Sequence, residues 1–373
     1  MKKKIKLLTI IGTRPEIIRL SRIMPMFDKF FNHIILHTGQ NYDENLNNIF
    51  FKDLNLRKPD YILGNANTNN IRAISNILNE TDKIIKIIQP DAVFILGDTN
   101  SSLSSIVAKK KQIPIFHYEA GNRSFDQRVP EEANRKIVDS ISDINLTYSK
   151  ISRENLIREG HQNNRVINIG SPMFEVLSYY KKKIKNSKIL NQLKLKKNNY
   201  YVLSSHREEN VEHEKNFQKL INIINYLSEI LNHKVVISVH PRVQKKIENI
   251  DISRNKNVFF SKPFSFTDYI SLQVNSKLVL SDSGTINEEA SILGFNAINL
   301  RNSHERPESD EEGTTIMTGL DIERVKYAIS RFKKNTIEKT KIVDDYNNKL
   351  VSIKLVNIIM SFIGFINENN YKK

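Results

Sequence analysis

The stretch HYEAGNRSFDQRVPEEANR, His117 to Arg135, holds seven formally charged residues among nineteen, and Glu119, Glu131 and Glu132 are three of them. It follows directly on Ile113-Pro114-Ile115-Phe116, which reads as a buried strand. Carboxylates and arginines at the exit of a core strand are equipped to move protons and to hold an anion. On a plain surface loop they would only be solvated. Comparable clusters recur. Gly12-Thr13-Arg14-Pro15 and Gly97-Asp98-Thr99 each follow an apolar run, as do Ser204-Ser205-His206-Arg207-Glu208, His240-Pro241-Arg242 and Ser281-Asp282-Ser283-Gly284-Thr285.

Each cluster has a structural reading beside the chemical one. Asp98 suits the N-cap of a helix over 100–111, and Ser283-Gly284 the N-cap of another. Alternatively, exposed helix N–H groups at Ser283-Gly284 hold a phosphate. Glu288 and Glu289 complement a helix dipole, or Glu289 accepts from a ribose diol. Glu131 and Arg135 stand four apart on a helix opened by Pro130, the spacing of an ordinary surface pair. His206 serves equally as a strand-end histidine. His117, Glu119 and His206 lack the spacing of a metal set, so no metal is expected. Placement favours chemistry: every cluster falls at the carboxyl end of its strand, where open α/β sheets bind ligands.

The elements that must position these residues alternate throughout. Strands are expected at 4–11, 33–37, 91–96, 113–117, 144–148 and 165–169, then at 200–204, 234–239, 257–260, 277–280 and 297–300. Helical patterns fill the gaps, among them 15–30, 71–88, 212–231 and a last helix over 341–365. This βαβ rhythm predicts parallel sheets covered by helices on both faces. A Lys/Asn-rich segment at 179–199 separates the halves. The expected domains are 1–172, joined by a C-terminal helix at about 356–373, and 173–355. If the two carboxyl edges face each other, they make one interdomain cleft.

Composition narrows the class. The chain has 373 residues, 39% of them hydrophobic, which suits two packed cores. Cysteine is absent, which excludes disulfides, thiolate catalysis and cysteine-ligated metals and suits a reducing cytoplasm. The apolar run after Met1-Lys2-Lys3-Lys4 is too short for a signal segment, and no stretch approaches a membrane span of about 20 apolar residues. The net charge of +16 comes from scattered lysines, which reads as solvated helix faces without a nucleic-acid module.

Taken in order, Gly12-Thr13-Arg14-Pro15-Glu16, Gly97-Asp98-Thr99, Glu119-Ala120-Gly121, Pro130-Glu131-Glu132-Ala133-Asn134-Arg135, His206-Arg207, Asp282-Ser283-Gly284 and Glu305-Arg306-Pro307-Glu308 resemble the non-hydrolysing UDP-N-acetylglucosamine 2-epimerases. The resemblance covers nearly the whole chain. It implies the glycosyltransferase-B fold, an α/β architecture of two Rossmann-like domains with an interdomain cleft. UDP would be held mainly by the second domain. It also implies a cytoplasmic homodimer acting on a UDP-sugar, with no cofactor, nucleic acid or membrane. Asp98, Glu119, Glu131 and His206 are the implied catalytic residues. Arg14, Arg19, Arg123, Arg128, Arg135, Tyr269, Ser283, Gly284, Thr285, Glu289 and Arg306 are the implied substrate-binding set. Arg19 stands where commoner members have lysine, and Thr285 where they have a second glycine. Glu119-Ala120-Gly121-Asn122-Arg123 replaces a leucine with Asn122, and the segment up to Pro130 is shorter. With His37-Thr38-Gly39-Gln40-Asn41-Tyr42-Asp43 and His304-Glu305-Arg306-Pro307-Glu308, these features resemble the enzymes that form UDP-N-acetyl-L-fucosamine from UDP-2-acetamido-2,6-dideoxy-L-talose for capsule or O-antigen.

That chemistry asks for such residues. The proton on carbon 2 of a 2-acetamido sugar is not acidic, so inversion proceeds by elimination: UDP leaves carbon 1, the proton becomes removable, and UDP re-adds as carbon 2 is protonated on its other face. Carboxylates must take and return the proton, and cations must steady the diphosphate. The rivals are a plain UDP-GlcNAc to UDP-ManNAc epimerase, a UDP-diacetamido-uronate 2-epimerase, a hydrolysing epimerase and a glycosyltransferase of the same fold, which would need an acceptor. A basic polyanion-binding protein is disfavoured by carboxylates at the strand ends.

Overall fold

Among the described residues, thirteen strands form two sheets in which every pairing is parallel. The computed structural model describes residues 4–40, 44–64, 70–205, 213–239, 255–261, 264–333 and 340–372. β1 (Lys6–Ile11), β2 (Asn32–His37), β3 (Tyr61–Ile62), β4 (Ala92–Leu96), β5 (Ile115–Ala120), β6 (Ile144–Thr147) and β7 (Val166–Asn168) lie in the order β3-β2-β1-β4-β5-β6-β7. β8 (Tyr200–Ser205), β9 (Lys234–Val239), β10 (Val258–Ser261), β11 (Leu278–Ser281), β12 (Ala297–Asn299) and β13 (Ile316–Met317) repeat the plan as β10-β9-β8-β11-β12-β13. Both are doubly wound Rossmann orders, with the direction of winding reversing between β1 and β4 and between β8 and β11.

Burial explains why the strands read as unbroken apolar runs. Helices cover both faces, so all five residues of β4 and all six of β8 are buried. In the first unit Leu8, Ile10, Val93, Ile95 and Ile115 pack against Ile84, Ile85 and Ile88 of the helix Asn70–Ile88. In the second, Leu203, Ile237, Leu280 and Ile298 pack against Phe217, Leu220 and Ile224 of the helix Glu214–Asn225. The two units are Met1–Ser178 with Asp344–Lys373, and Tyr179–Val343. The first boundary falls inside the helix Met173–Lys185.

Several elements differ from the sequence expectation. β3 and β13 have two residues each, too few to show a period. The helix expected over 15–30 is two, Arg14–Leu20 and Ile23–Phe30, broken at Ser21-Arg22. The last helix begins at Val351 rather than 341. β5 continues to Ala120, so Glu119 belongs to the strand and not to the loop after it.

The C-terminal helix corrects a second expectation. With its continuation to Tyr371 it is 21 residues, long and apolar enough by length and composition to cross a membrane. Lys354 and Asn357 interrupt the run, which hid it in the sequence. Here its stripe Val351, Leu355, Ile359, Ile363 and Ile366 is buried within the first unit, and it packs against the helix Ile23–Phe30. Its end is tied to the buried Asp143, which accepts from Asn370 Nδ2 and Tyr371 OH at 2.9 Å each and from Lys109 Nζ at 2.8 Å.

Candidate active site

The carboxyl ends of β1, β4 and β5 bring one group of predicted residues together. Glu119 has φ +70°, and β5 shifts register against β6 between Tyr118 and Ala120. A bulged, left-handed glutamate is costly backbone, held in place by its surroundings. Its carboxylate turns toward the end of β4: Gly97, at φ +75°, has no Cβ, and one there would lie 3.2 Å from Glu119 Oε2. Arg19 Nη1 donates to both Glu119 oxygens, at 2.5 and 2.6 Å, while its guanidinium lies 5.6 Å from the Tyr148 ring. Asn122 Nδ2 stands 3.5 Å from Glu119 Oε1, and its own oxygen accepts from Ser152 at 2.8 Å. The Asn122 departure therefore acts beneath Glu119, as a buried neighbour.

Asp98 does not cap the following turn, whose N-cap is Thr99 without a side-chain cap bond. Instead Arg135 Nε donates to Asp98 at 2.7 Å and Asn134 Nδ2 to its carbonyl at 2.9 Å. The helix Pro130–Ile141 is thus anchored to the end of β4, and Glu131 shares the face of Asn134 and Arg135. Arg135 pairs with Glu132 at 2.6 Å and not with Glu131. Glu132 in turn accepts from the Ser124 and Phe125 N–H groups and holds the loop before the helix. Ser124 and Arg135 keep its carboxyl below the usual range in spite of burial. Glu131, half-buried, makes no hydrogen bond or ion pair among the described residues.

Arg14 is half-buried at the start of its helix, 6.0 Å from the Phe50 ring. Beside it, Glu16 accepts from Gly12 N–H at 2.5 Å, Thr13 N–H at 3.0 Å and Thr99 Oγ1 at 2.7 Å, linking the ends of β1 and β4. Burial pushes this carboxyl up to about 7, although the three donors favour its charge and Asp98 opposes it.

Two arginines expected to bind substrate have protein partners of their own. Arg123 is enclosed: Nη1 meets Asp139 at 2.8 Å, Nε and Nη2 meet Glu159 at 2.8 and 2.5 Å, and Nη1 also donates to the Asn122 carbonyl. Its donors are turned into the protein because Asp139 is itself buried and needs a counter-charge. His117 completes that cluster, Nδ1 at 2.9 Å from Asp139 and Nε2 at 2.9 Å from the Gly97 carbonyl. Arg128 is at the surface, its side chain 88% exposed and paired with Asp126.

In the second unit the ends of β8 and β11 gather Ser205, Tyr269, Gln273, Asp282 and Glu289. Ser205 Oγ donates to Asp282 at 2.8 Å, and Gln273 Nε2 to Glu289 at 2.8 Å. Burial first, then the charges of Glu289 and Asp282, push the Tyr269 hydroxyl well above its ordinary value. The helix Ile286–Leu293 has Thr285 as N-cap without a side-chain cap bond of its own, and Ser283 Oγ accepts from the Thr285 N–H at 3.3 Å. Ser283 and Thr285 hydroxyls meet each other at 3.0 Å. Arg306 is buried, Nε donating to the Gly284 carbonyl at 3.1 Å and lying 3.4 Å from Glu288. His206, with Arg207, Glu208, His240 and Arg242, lies outside the described residues.

The family model for UDP-N-acetylglucosamine 2-epimerase matches residues 27–360. This chain belongs to that family. It is an isomerase with two parallel-sheet α/β domains of the glycosyltransferase-B class. It is similar to the structure of UDP-N-acetylglucosamine 2-epimerase from Rickettsia bellii, with 44% identity, TM-score 0.92, and 99% and 100% of the two chains covered. The Methanocaldococcus jannaschii UDP-GlcNAc 2-epimerase, solved in complex with UDP-GlcNAc and UDP, gives 32% identity and TM-score 0.89 over 96% of this chain and 100% of that one. The UDP-2,3-diacetamido-2,3-dideoxy-D-glucuronate 2-epimerase of Pseudomonas aeruginosa is 31% identical over 84% of this chain and 88% of its own length.

Sequence reasoning passed over the residues that hold the named ones. Glu16 was part of a motif without a role, and its place one turn after Gly12-Thr13 was the available signal. Asp139 and Gln273 carry no local signature, since their partners are 16 to 22 residues away, whereas Arg301 stands only four residues before its partner Glu305.

Proposed function

We infer that this enzyme inverts carbon 2 of a UDP-2-acetamido sugar without hydrolysis, by elimination and re-addition of UDP. The observation that carries the reading is the set of carboxylates at the β4 and β5 ends, Asp98 and Glu119, with Glu131 on the helix tied to Asp98. In the forward half, the bond from carbon 1 to the diphosphate oxygen breaks, the electron pair leaves with UDP, and one carboxylate takes the carbon 2 proton. The glycal then receives a proton at carbon 2 from the opposite face while the diphosphate oxygen re-forms its bond to carbon 1. The anionic carboxylates also steady positive charge at carbon 1. Arg19 keeps Glu119 aimed, with its oxygens fixed by two short bonds. Arg14, Arg306, Ser283, Gly284 and Thr285 take the diphosphate, Tyr269 and Glu289 the nucleoside, and His206 assists the leaving group.

The sequence of 119–130 and 304–308 supports UDP-2-acetamido-2,6-dideoxy-L-talose as substrate and UDP-N-acetyl-L-fucosamine as product. The names of the Rickettsia and Methanocaldococcus enzymes favour a second reading, UDP-GlcNAc to UDP-ManNAc. A uronate is less well served, because Arg123 is committed to Asp139 and Glu159. The test is NMR in heavy water with the talose compound and UDP-GlcNAc in separate tubes. Deuterium entering carbon 2 of the talose compound alone, with the fuco product appearing, supports the first reading. Exchange into UDP-GlcNAc alone replaces it with the second. Exchange into neither refutes 2-epimerisation of these sugars.

A further inference from the structure

A second arginine stands beside the opening of the helix Ile286–Leu293. Arg301 follows β12, where its backbone N–H donates to Asn299 Oδ1 at 3.0 Å. Its side chain is 2% exposed, and Nη2 donates to Glu305 Oε2 at 2.8 Å. Nε and Nη1 are buried and have no hydrogen-bond partner among the described residues. Buried, unmatched donors on a cation are costly, and in native interiors almost all such groups are answered by a hydrogen-bond partner.

Gly284 indicates which ligand. A Cβ on Gly284 would lie 3.8 Å from Arg301 Nη1 and 3.0 Å from Glu305 Oε1. Because the residue has no side chain, an oxygen can approach Nη1 across its Cα. The carbonyl of the same glycine accepts from Arg306 Nε. Two guanidinium groups therefore converge on one residue, at the start of a helix whose N-cap, Thr285, makes no side-chain cap bond. Planar N–H forks suit the oxygens of a phosphate better than any neutral group.

We propose that Arg301 is a second phosphate-binding residue, forming with Arg306 a clamp about Gly284 for the diphosphate of a nucleoside diphosphate. The assignment rests on the nucleotide reading above. Glu305 is the anion with which the phosphate competes for Arg301. That makes a sign prediction an ordinary structural ion pair would not make: removing the Glu305 charge strengthens nucleotide binding.

Calorimetry with UDP, uridine and inorganic pyrophosphate tests this on the full chain, with circular dichroism to establish folding. Arg301→Gln combined with Glu305→Gln leaves no buried charge alone, and should weaken UDP and pyrophosphate roughly tenfold or more while uridine is unchanged. Arg301→Lys, which keeps a partner for Glu305 but loses the fork, should weaken UDP in the same direction. Glu305→Gln alone should tighten UDP severalfold. UDP affinity equal to wild type in both Arg301 variants, or weakened in Glu305→Gln, overturns the clamp. Pyrophosphate bound as tightly as UDP would make the site a simple anion site and overturn the nucleoside part. A wild-type protein that does not bind UDP sinks the nucleotide reading itself, which is a separate outcome from wild-type binding with indifferent variants.

Discussion

Replacing Glu16 with glutamine isolates a single buried carboxyl. Burial raises its pKa from 4.5 to about 7. An acid whose pKa is raised by folding binds more protons folded than unfolded across that window, so its contribution to stability falls as pH rises from about 4.5 to about 7. At about 1.4 kcal/mol for each tenfold change in proton affinity, the full effect is roughly 3 kcal/mol above neutrality. Glutamine removes the titration while keeping most of the bonding. Its carbonyl can accept from Gly12 and Thr13, which both donate to one oxygen, and its amide can face the Thr99 hydroxyl, which can also accept. The variant should therefore match wild type within about 1 kcal/mol near pH 5 and exceed it by up to roughly 3 kcal/mol near pH 8. Hydrogen exchange read by mass spectrometry over residues 5–20 is the appropriate assay, because a two-domain chain does not give one clean unfolding free energy. A wild-type protein better protected near pH 8 than near pH 5, with the glutamine variant less protected at both, would show that the three donors outweigh burial and would refute the reasoning.

Glu119→Gln should lower turnover on the order of a hundredfold or more while leaving UDP affinity little changed; equal losses in both would make Glu119 a binding residue. Gly121→Ala should cost more than about 3 kcal/mol, because Gly121 has φ +78° and a Cβ there would overlap the Ser152 carbonyl oxygen and meet Leu156 Cγ at 2.9 Å. A melting curve within about 2 °C of wild type would contradict that. Tyr371→Phe removes one of the donors to Asp143 and should loosen the C-terminal helix by about 1 kcal/mol, seen as faster exchange over 351–366 with the second unit unaffected.

Periodicity and composition determined the architecture from the sequence alone. Apolar runs alternating with helical patterns allow few arrangements other than parallel sheets, and the polar clusters at the run ends marked the carboxyl edges of both. Family motifs then singled out Asp98, Glu119, Arg306 and their companions as candidates, because backbone geometry at a strand exit imposes its own local spelling. What the tertiary structure decided is how each charge is spent. Arg123 and Arg135 look alike in the sequence, both a few residues from glutamates. Yet Arg123 is buried against Asp139 and Glu159, while Arg135 reaches Asp98. Glu119 read as a loop residue, but the bulge that places it in β5 depends on pairing with β6. The C-terminal helix was expected, but its apolar length was broken in the sequence by Lys354 and Asn357, and only packing showed which face is buried. Burial and ion pairing are sums over neighbours distant in the chain, so no local window contains them.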